Sequence, residues 1–369
     1  AQAVWAPATT VYRLASILAP PAVRAGAMAV ASLCRGVALA CALRVGHALS
    51  SSAEHKSVHK VEMTNFADSK SEKHRKKGPY TPLTEDQREA SLAVWLEDYE
   101  KSSAWVDQLS VHPAKDTDRV AVTILQPATP EKVKLMAHII RINMHRLGPN
   151  WGLAVYYGRE EEKDALSKAL GNPENVVWAP IYLRGERISE LGRIQFSYYL
   201  LSMDFWRMIP EAMEHVLIFG DDSIVLKGNG CIDKYADYDY SGAPWHSDLH
   251  NMPQYGGNGG FRLVKRSSSI ACLSAELIGK MRGVAPGRQR VHEDEAFVHL
   301  IKSINGTFPT RELAVGFAVE TVMNSSPCAI HKPWLYQNET NMRILLGSAD
   351  PPPQAAAPGA AGGAVRDRI

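Results

Sequence analysis

The sequence predicts an α/β domain built on a mostly parallel central sheet flanked by helices. Two observations carry this. Short apolar, β-branched runs alternate with stretches of helical spacing, and the run Val216-Leu217-Ile218-Phe219 ends in the adjacent carboxylates Asp221-Asp222 before apolar sequence resumes at Ile224-Val225-Leu226. Open α/β sheets bind ligands beyond the carboxyl ends of their strands, which is where this pair falls. The chain has 369 residues, of which 45% are hydrophobic and 22% charged, enough to bury a full core.

From the N-terminus, residues 1–53 form an apolar segment with Arg13, Arg24, Arg35 and Arg44 and no acidic residue before Glu54. The stretch 25–43 is about long enough to span a bilayer, although Arg35 at its middle costs roughly 2.5–3.5 kcal/mol on insertion scales. The composition suits a signal-anchor or an organelle-targeting peptide. A Golgi or ER membrane protein with a lumenal domain is the expectation, with an organelle-targeted or cytoplasmic protein as the alternatives. Residues 54–110 read as a charged stem or linker with a short helix, densest in Ser69-Lys70-Ser71-Glu72-Lys73-His74-Arg75-Lys76-Lys77. Residues 111–341 read as the domain, and 342–369, rich in Pro, Ala and Gly, as a disordered tail.

Within the domain, Val120 to Leu125 is a β-branched run, and Thr129-Pro130 then opens a helix to Arg146. Leu153 to Tyr157 is a second strand, followed by a charged helix over 159–170, and Val176 to Ile181 is a third. A long helix is expected over 189–208, with Leu191, Ile194, Tyr198, Leu201 and Phe205 on one face. Val216 to Phe219 is the fourth strand.

A formal net charge of +2 with no arginine-rich helix or repeated aromatic platform excludes nucleic acid as a partner. There is no internal repeat, no GxxxxGK[ST] and no GxGxxG, so P-loop and dinucleotide readings lose their signals. The five cysteines are widely spaced with no CxxC pair, and leave room for one bridge among Cys231, Cys272 and Cys328.

Three constellations carry chemistry. Asp221-Asp222 could hold a divalent ion that bridges two phosphates, or could simply cap a strand-end turn. Gly256-Gly257-Asn258-Gly259-Gly260 permits close approach of a ligand to backbone, or makes a hairpin loop. His292-Glu293-Asp294-Glu295 opens a helix, where carboxylates suit the dipole and could also serve as a rigid base. His331-Lys332-Pro333-Trp334 adds an imidazole, a cation and a ring. Tyr238-Asp239-Tyr240 with Gly242-Ala243-Pro244-Trp245 suits sugar faces and a packed loop equally.

In this order, and with Tyr198 to Trp206 and Phe317 to Glu320, these segments resemble an uncharacterised glycosyltransferase-like domain family of fungi and bacteria, over about residues 118–336. The resemblance implies a GT-A-like fold and transfer of a sugar from a nucleotide-sugar donor to a glycan, protein or lipid acceptor, inverting and assisted by Mn or Mg. It implies Asp294, within the pair Glu293-Asp294, as catalytic base. Asp222, with Asp221 and His331, is implied at the metal. Gln126, Asn258, Gly259, Gly260, Asp239, Trp245 and Lys332 are implied around the donor. The position of Asp221 is usually not acidic in that pattern, and a DxD arrangement would need an acid at Gly220. The rival readings are a non-catalytic carbohydrate-binding or scaffold protein of the same fold and a metal-dependent phosphohydrolase built on Asp221 and Asp222.

Overall fold

The computed structural model describes residues 81–125, 129–246, 255–273 and 292–351, all within a unit spanning Tyr80–Ile369. Gln126, the segment 1–53 with its stretch 25–43, the stem up to residue 80 and the tail from 352 lie outside the described residues.

Helix α1 (Glu85–Val106) is 22 residues long and opens in a capping box between Thr84 and Gln87. It buries Val94, Trp95, Leu96, Tyr99 and Val106, and Trp95 lies 4.8 Å from Trp334. Within the stretch expected as a stem, these apolar side chains dock residues 85–106 onto the domain. The charged residues of α1 also make it too polar to cross a bilayer. Among the described residues no helix is long and apolar enough to cross a membrane, which overturns the expectation of a membrane-anchored lumenal domain.

Strand β1 (Arg119–Leu125), helix α2 (Pro130–Leu147), strand β2 (Gly152–Tyr157), helix α3 (Glu160–Leu170) and strand β3 (Val176–Pro180) follow the predicted alternation. Thr129 caps α2 by accepting from Lys132 N at 3.3 Å, with Pro130 in the first turn. Strands β4 (Tyr182–Leu183) and β5 (Glu186–Arg187) make a small hairpin. The long helix expected over 189–208 is two, α4 (Arg193–Leu200) and α5 (Met203–Arg207). Ser202 leaves helical geometry at φ −109°, ψ 149°, and its hydroxyl donates to Tyr199 O at 2.7 Å instead. The expected inward face splits with the break: Phe205 is buried, Ile194 and Tyr198 are exposed.

Next come β6 (His215–Phe219), β7 (Ser223–Val225), β8 (Tyr240–Ala243), β9 (Asn258–Lys265), α6 (Arg266–Cys272), α7 (Glu293–Ser303), α8 (Arg311–Phe317), β10 (Ala318–Val319), β11 (Ala329–His331) and α9 (Glu339–Gly347). Residues 342–351, expected in the tail, pack on the domain: α9 buries Met342 and Leu345, and Asp350 N donates to Leu226 O at 2.8 Å.

The six-stranded sheet has the order β3-β2-β1-β6-β9-β8. Pairs β1/β2, β2/β3 and β1/β6 are parallel, whereas β9 runs antiparallel to both β6 and β8. This is the α/β architecture the alternation predicts. Side chains alternate across the sheet, so Val120, Val122, Tyr156, Val216 and Ile218 meet Phe205, Trp206 and Phe297 in one core. On the other face Thr123 reaches Met136 of α2. A second sheet, β10-β11-β7, sets His331 opposite Ser223. Cys231 and Cys328 form a disulfide with Cα atoms 5.6 Å apart, which ties the start of β11 to the segment after β7 and leaves Cys272 as a buried free thiol.

Candidate active site

Strand β6 emerges from the core into Gly220-Asp221-Asp222, and β7 leads back under β11. This return brings His331 and Lys332 onto Asp222. Lys332 Nζ lies 3.0 Å from Asp222 Oδ2, His331 Nε2 lies 3.6 Å from Oδ1, and Ser223 Oγ donates to Oδ1 at 3.3 Å. Lys332 N also donates to Asp222 O at 3.0 Å. Lys332 has left-handed backbone geometry, φ 43° and ψ 41°, a conformation that a non-glycine residue adopts at an energetic cost and that clusters at functional sites. Burial opposes the charge on Asp222, but Lys332 and His331 outweigh it and hold the carboxyl below its ordinary value. The same pairing raises Lys332.

The second group lies at the start of α7. Asp294 accepts from Glu295 N at 2.8 Å and from Gly259 N at 3.4 Å. Burial, then the adjacent negative charge of Glu293, push Asp294 up to about 7. Glu293 accepts from Ser197 Oγ of α4 at 3.2 Å and lies 3.6 Å from Arg262 Nη1.

Strand β9 joins the two groups. A Cβ on Gly260 would fall inside the His331 ring, and one on Gly259 would overlap Arg262 Nη1 and lie 2.8 Å from Asp294 Cβ. Adjacent residues of a chain are about 3.8 Å apart at Cα, so the Asp222 and Asp294 groups flank neighbouring backbone positions. These glycines, expected in a ligand loop, lie in a strand next to the middle of the sheet, where they admit the side chains of the site. Asn258 Oδ1 accepts from Gly260 N at 2.7 Å and fixes the strand entry.

Other expected residues lie apart. Asp221 turns to Lys132, with Oδ2 3.4 Å from Nζ, rather than joining Asp222. Asp239 is committed to structure: Thr307 N and Oγ1 donate to its Oδ2 at 2.7 and 2.8 Å, and Ser268 Oγ donates to its Oδ1. Trp245 is buried in the core, its carbonyl accepting from Arg311 Nη2 at 2.7 Å. The sequence motifs assign no chemical role to Arg262 or to Glu320, although Glu320 closes the segment that starts at Phe317. Glu320 is buried with Oε1 3.3 Å from His331 Nδ1, and its charge acts on Asp294. The sequence signal for both was a charged residue inside an otherwise apolar strand or strand end.

Among the described residues no group of three or more His, Cys, Asp or Glu side chains comes together to hold a metal ion. Asp222 and His331 offer two donors, Asp221 faces away to Lys132, and the cation against Asp222 is an ammonium. The set does not fit a divalent ion held by Asp222, Asp221 and His331. A cavity of about 300 Å³, lined by Pro130, Val133, Arg159, Glu161, Glu162 and Ala165, opens between the first turns of α2 and α3. It adjoins the carboxyl ends of β1 and β2, on the same edge of the parallel strands as Asp222.

Residues 190–331 match a family described as "Protein of unknown function (DUF5672)". The resemblance to an uncharacterised domain family holds over that stretch, which contains every residue of the two groups except Lys332. No curated protein matches the chain. Among solved structures it is similar to the apo-form glycosyltransferase GlyE of Streptococcus pneumoniae, at 11% identity and TM-score 0.38, covering 58% of this chain. The chain spans 54% of the length of that structure. It is similar also to the galactosyltransferase LgtC solved with donor and acceptor sugar analogues, at 14% identity and TM-score 0.35, covering 64% and 98% of the two chains. Mouse xyloside xylosyltransferase 1 is similar at 10% identity and TM-score 0.31, covering 57% and 87%.

Proposed function

We propose that this domain is a GT-A type glycosyltransferase that moves a sugar from a nucleotide-sugar donor to a glycan, protein or lipid acceptor with inversion at the sugar carbon. The observation that carries the reading is the pair of half-buried charge groups on either side of Gly259-Gly260, one the Lys332 ammonium against the Asp222 carboxylate and one the Asp294 carboxyl raised to about 7. The donor diphosphate lies against Lys332, which Asp222 orients, and the nucleotide base occupies the cavity beyond β1 and β2. The acceptor hydroxyl oxygen forms a bond to the sugar carbon as the bond from that carbon to the diphosphate breaks. Its proton passes to Asp294, whose pKa of about 7 suits a general base at neutral pH. The electron pair of the broken bond leaves on the diphosphate, where the Lys332 ammonium offsets the growing charge.

Titration of the full chain with UDP, GDP and their sugars, with and without manganese, followed by thermal shift, tests the reading. One nucleotide should raise the melting temperature, and Asp222→Ala should abolish the response. A requirement for manganese would return a metal to the site. Silence toward every nucleotide would leave the carbohydrate-binding alternative in its place.

A further inference from the structure

Helix α2 carries two buried polar side chains that the proposed transfer does not use. Asn143 is fully buried and Arg146 nearly so, alongside apolar residues of the same helix such as Ile139, Ile140 and Leu147. A buried amide is tolerated where its donor and acceptor both find partners. Asn143 finds them on one short strand. Its Nδ2 donates to Ser223 O at 3.2 Å and its Oδ1 accepts from Val225 N at 2.8 Å, a pairing that only one orientation of the amide satisfies. Arg146 Nη1 donates to Val225 O at 2.7 Å.

Strand β7 lies at the edge of the second sheet, and its backbone groups alternate between two partners. Toward β11, Asp222 O accepts from Lys332 N at 3.0 Å and Leu226 N donates to Cys328 O at 2.7 Å. Toward α2, Ser223 and Val225 have Asn143 and Arg146 where a further strand would otherwise lie. Ser223 follows Asp222 directly and stands opposite His331, the residue before Lys332. Asn143 therefore grips β7 one residue from Asp222. At its other end the same helix contributes Pro130 and Val133 to the cavity beyond β1 and β2, and Lys132 Nζ lies 3.4 Å from Asp221 Oδ2. Resting on the reading that Lys332 meets the donor diphosphate, we infer that Asn143 is a positioning residue: it stands in for a strand on the open edge of β7, holds Asp222 against Lys332, and ties that pair to the helix lining the base cavity.

Amide NMR of the full chain with isotope-labelled lysine tests this without any ligand, the Lys332 signal being assigned by Lys332→Arg. Asn143→Leu keeps the volume and removes both bonds to β7. The Lys332 amide proton should move upfield as its bond to Asp222 O lengthens, while Lys163 and Lys168 on α3 stay in place. At a temperature where this variant is folded, the affinity for whichever of UDP or GDP the unaltered chain binds should fall on the order of 10-fold, as for a buried group left without its partner. A purely structural asparagine would lower the melting temperature and leave the Lys332 signal and the affinity where they are, and that result overturns the inference. If Asn143→Leu does not fold, hydrogen exchange of the unaltered chain decides: the Val225 and Lys332 amides should open together, and exchange at Val225 with Lys332 still protected overturns the inference equally. Failure of the unaltered chain to bind either nucleotide would count against the transferase reading, and the Lys332 signal would still judge the role of Asn143.

Discussion

Asp222 and Asp294 are the same residue type, both largely withdrawn from water, and they flank adjacent positions of β9, yet their environments drive them in opposite directions. Asp222 has Lys332 and His331 against it and is held below the ordinary carboxylate range. Asp294 has Glu293 beside it and only backbone donors in direct contact, and it rises to about 7. Burial disfavours charge at both sites, so the neighbours decide the sign. One side of the strand therefore keeps a fixed charge, and the other can gain and lose a proton near neutral pH.

The sharpest way to break this contrast is Asp294→Asn. It should lower transfer by roughly 100- to 10,000-fold, the range for removing a general base, while nucleotide affinity stays unchanged; a parallel loss of affinity would mean that the two sides are not separate. Cys328→Ser acts on the Asp222 side, because β11 carries His331 and leads directly into Lys332. With a sequence separation of 97 between the cysteines, the loss should be about 2–4 kcal/mol in denaturant unfolding, with weaker nucleotide binding and an unaltered Asp294 titration midpoint.

Stability against pH sharpens the comparison further. The folded state binds the Asp294 proton more tightly than the unfolded chain does, so its contribution falls as pH rises from about 4 to about 7, by on the order of a few kcal/mol. Asp294→Asn should flatten that decline in thermal melts. Asp222 works the other way: its contribution is complete above the ordinary carboxylate range and is lost as pH falls below it, so Asp222→Asn should lower stability above that range and flatten the acid limb. The smallest effect expected is at Asp239. Its oxygens serve Thr307 and Ser268, so Asp239→Ala should cost about 1–3 kcal/mol, as for a lost buried hydrogen-bond acceptor, and leave nucleotide binding intact.

Much of the parallel half was legible because β1, β2, β3 and β6 are apolar runs between helices with recognisable starts, such as Thr129-Pro130. Asp222, Asp294, His331 and Lys332 were singled out through spaced motifs rather than periodicity. Three features were hidden for physical reasons. The apolar residues of α1 do not gather on one helical stripe, so its docking face was invisible. The run Asn258-Gly259-Gly260 has the composition of a loop, yet it is strand because side chains from elsewhere fill the space its glycines leave. The break at Leu201-Ser202 follows from one hydroxyl turned back on Tyr199 and from the Trp206 indole donating to Leu200 O at 3.0 Å, which no spacing encodes. Arg262 and Glu320 could have been found by asking what neutralises each charge in an apolar setting.

The docking of α1 has a practical consequence for anyone cutting this chain. Trp95 covers Trp334, two residues beyond Lys332, and Arg343 reaches back to Glu97 at 3.5 Å. An expression boundary drawn near residue 110 would uncover an indole directly behind the lysine of the site and leave α9 half-packed. A fragment meant to report on nucleotide binding should begin before Thr84 and run past Asp350.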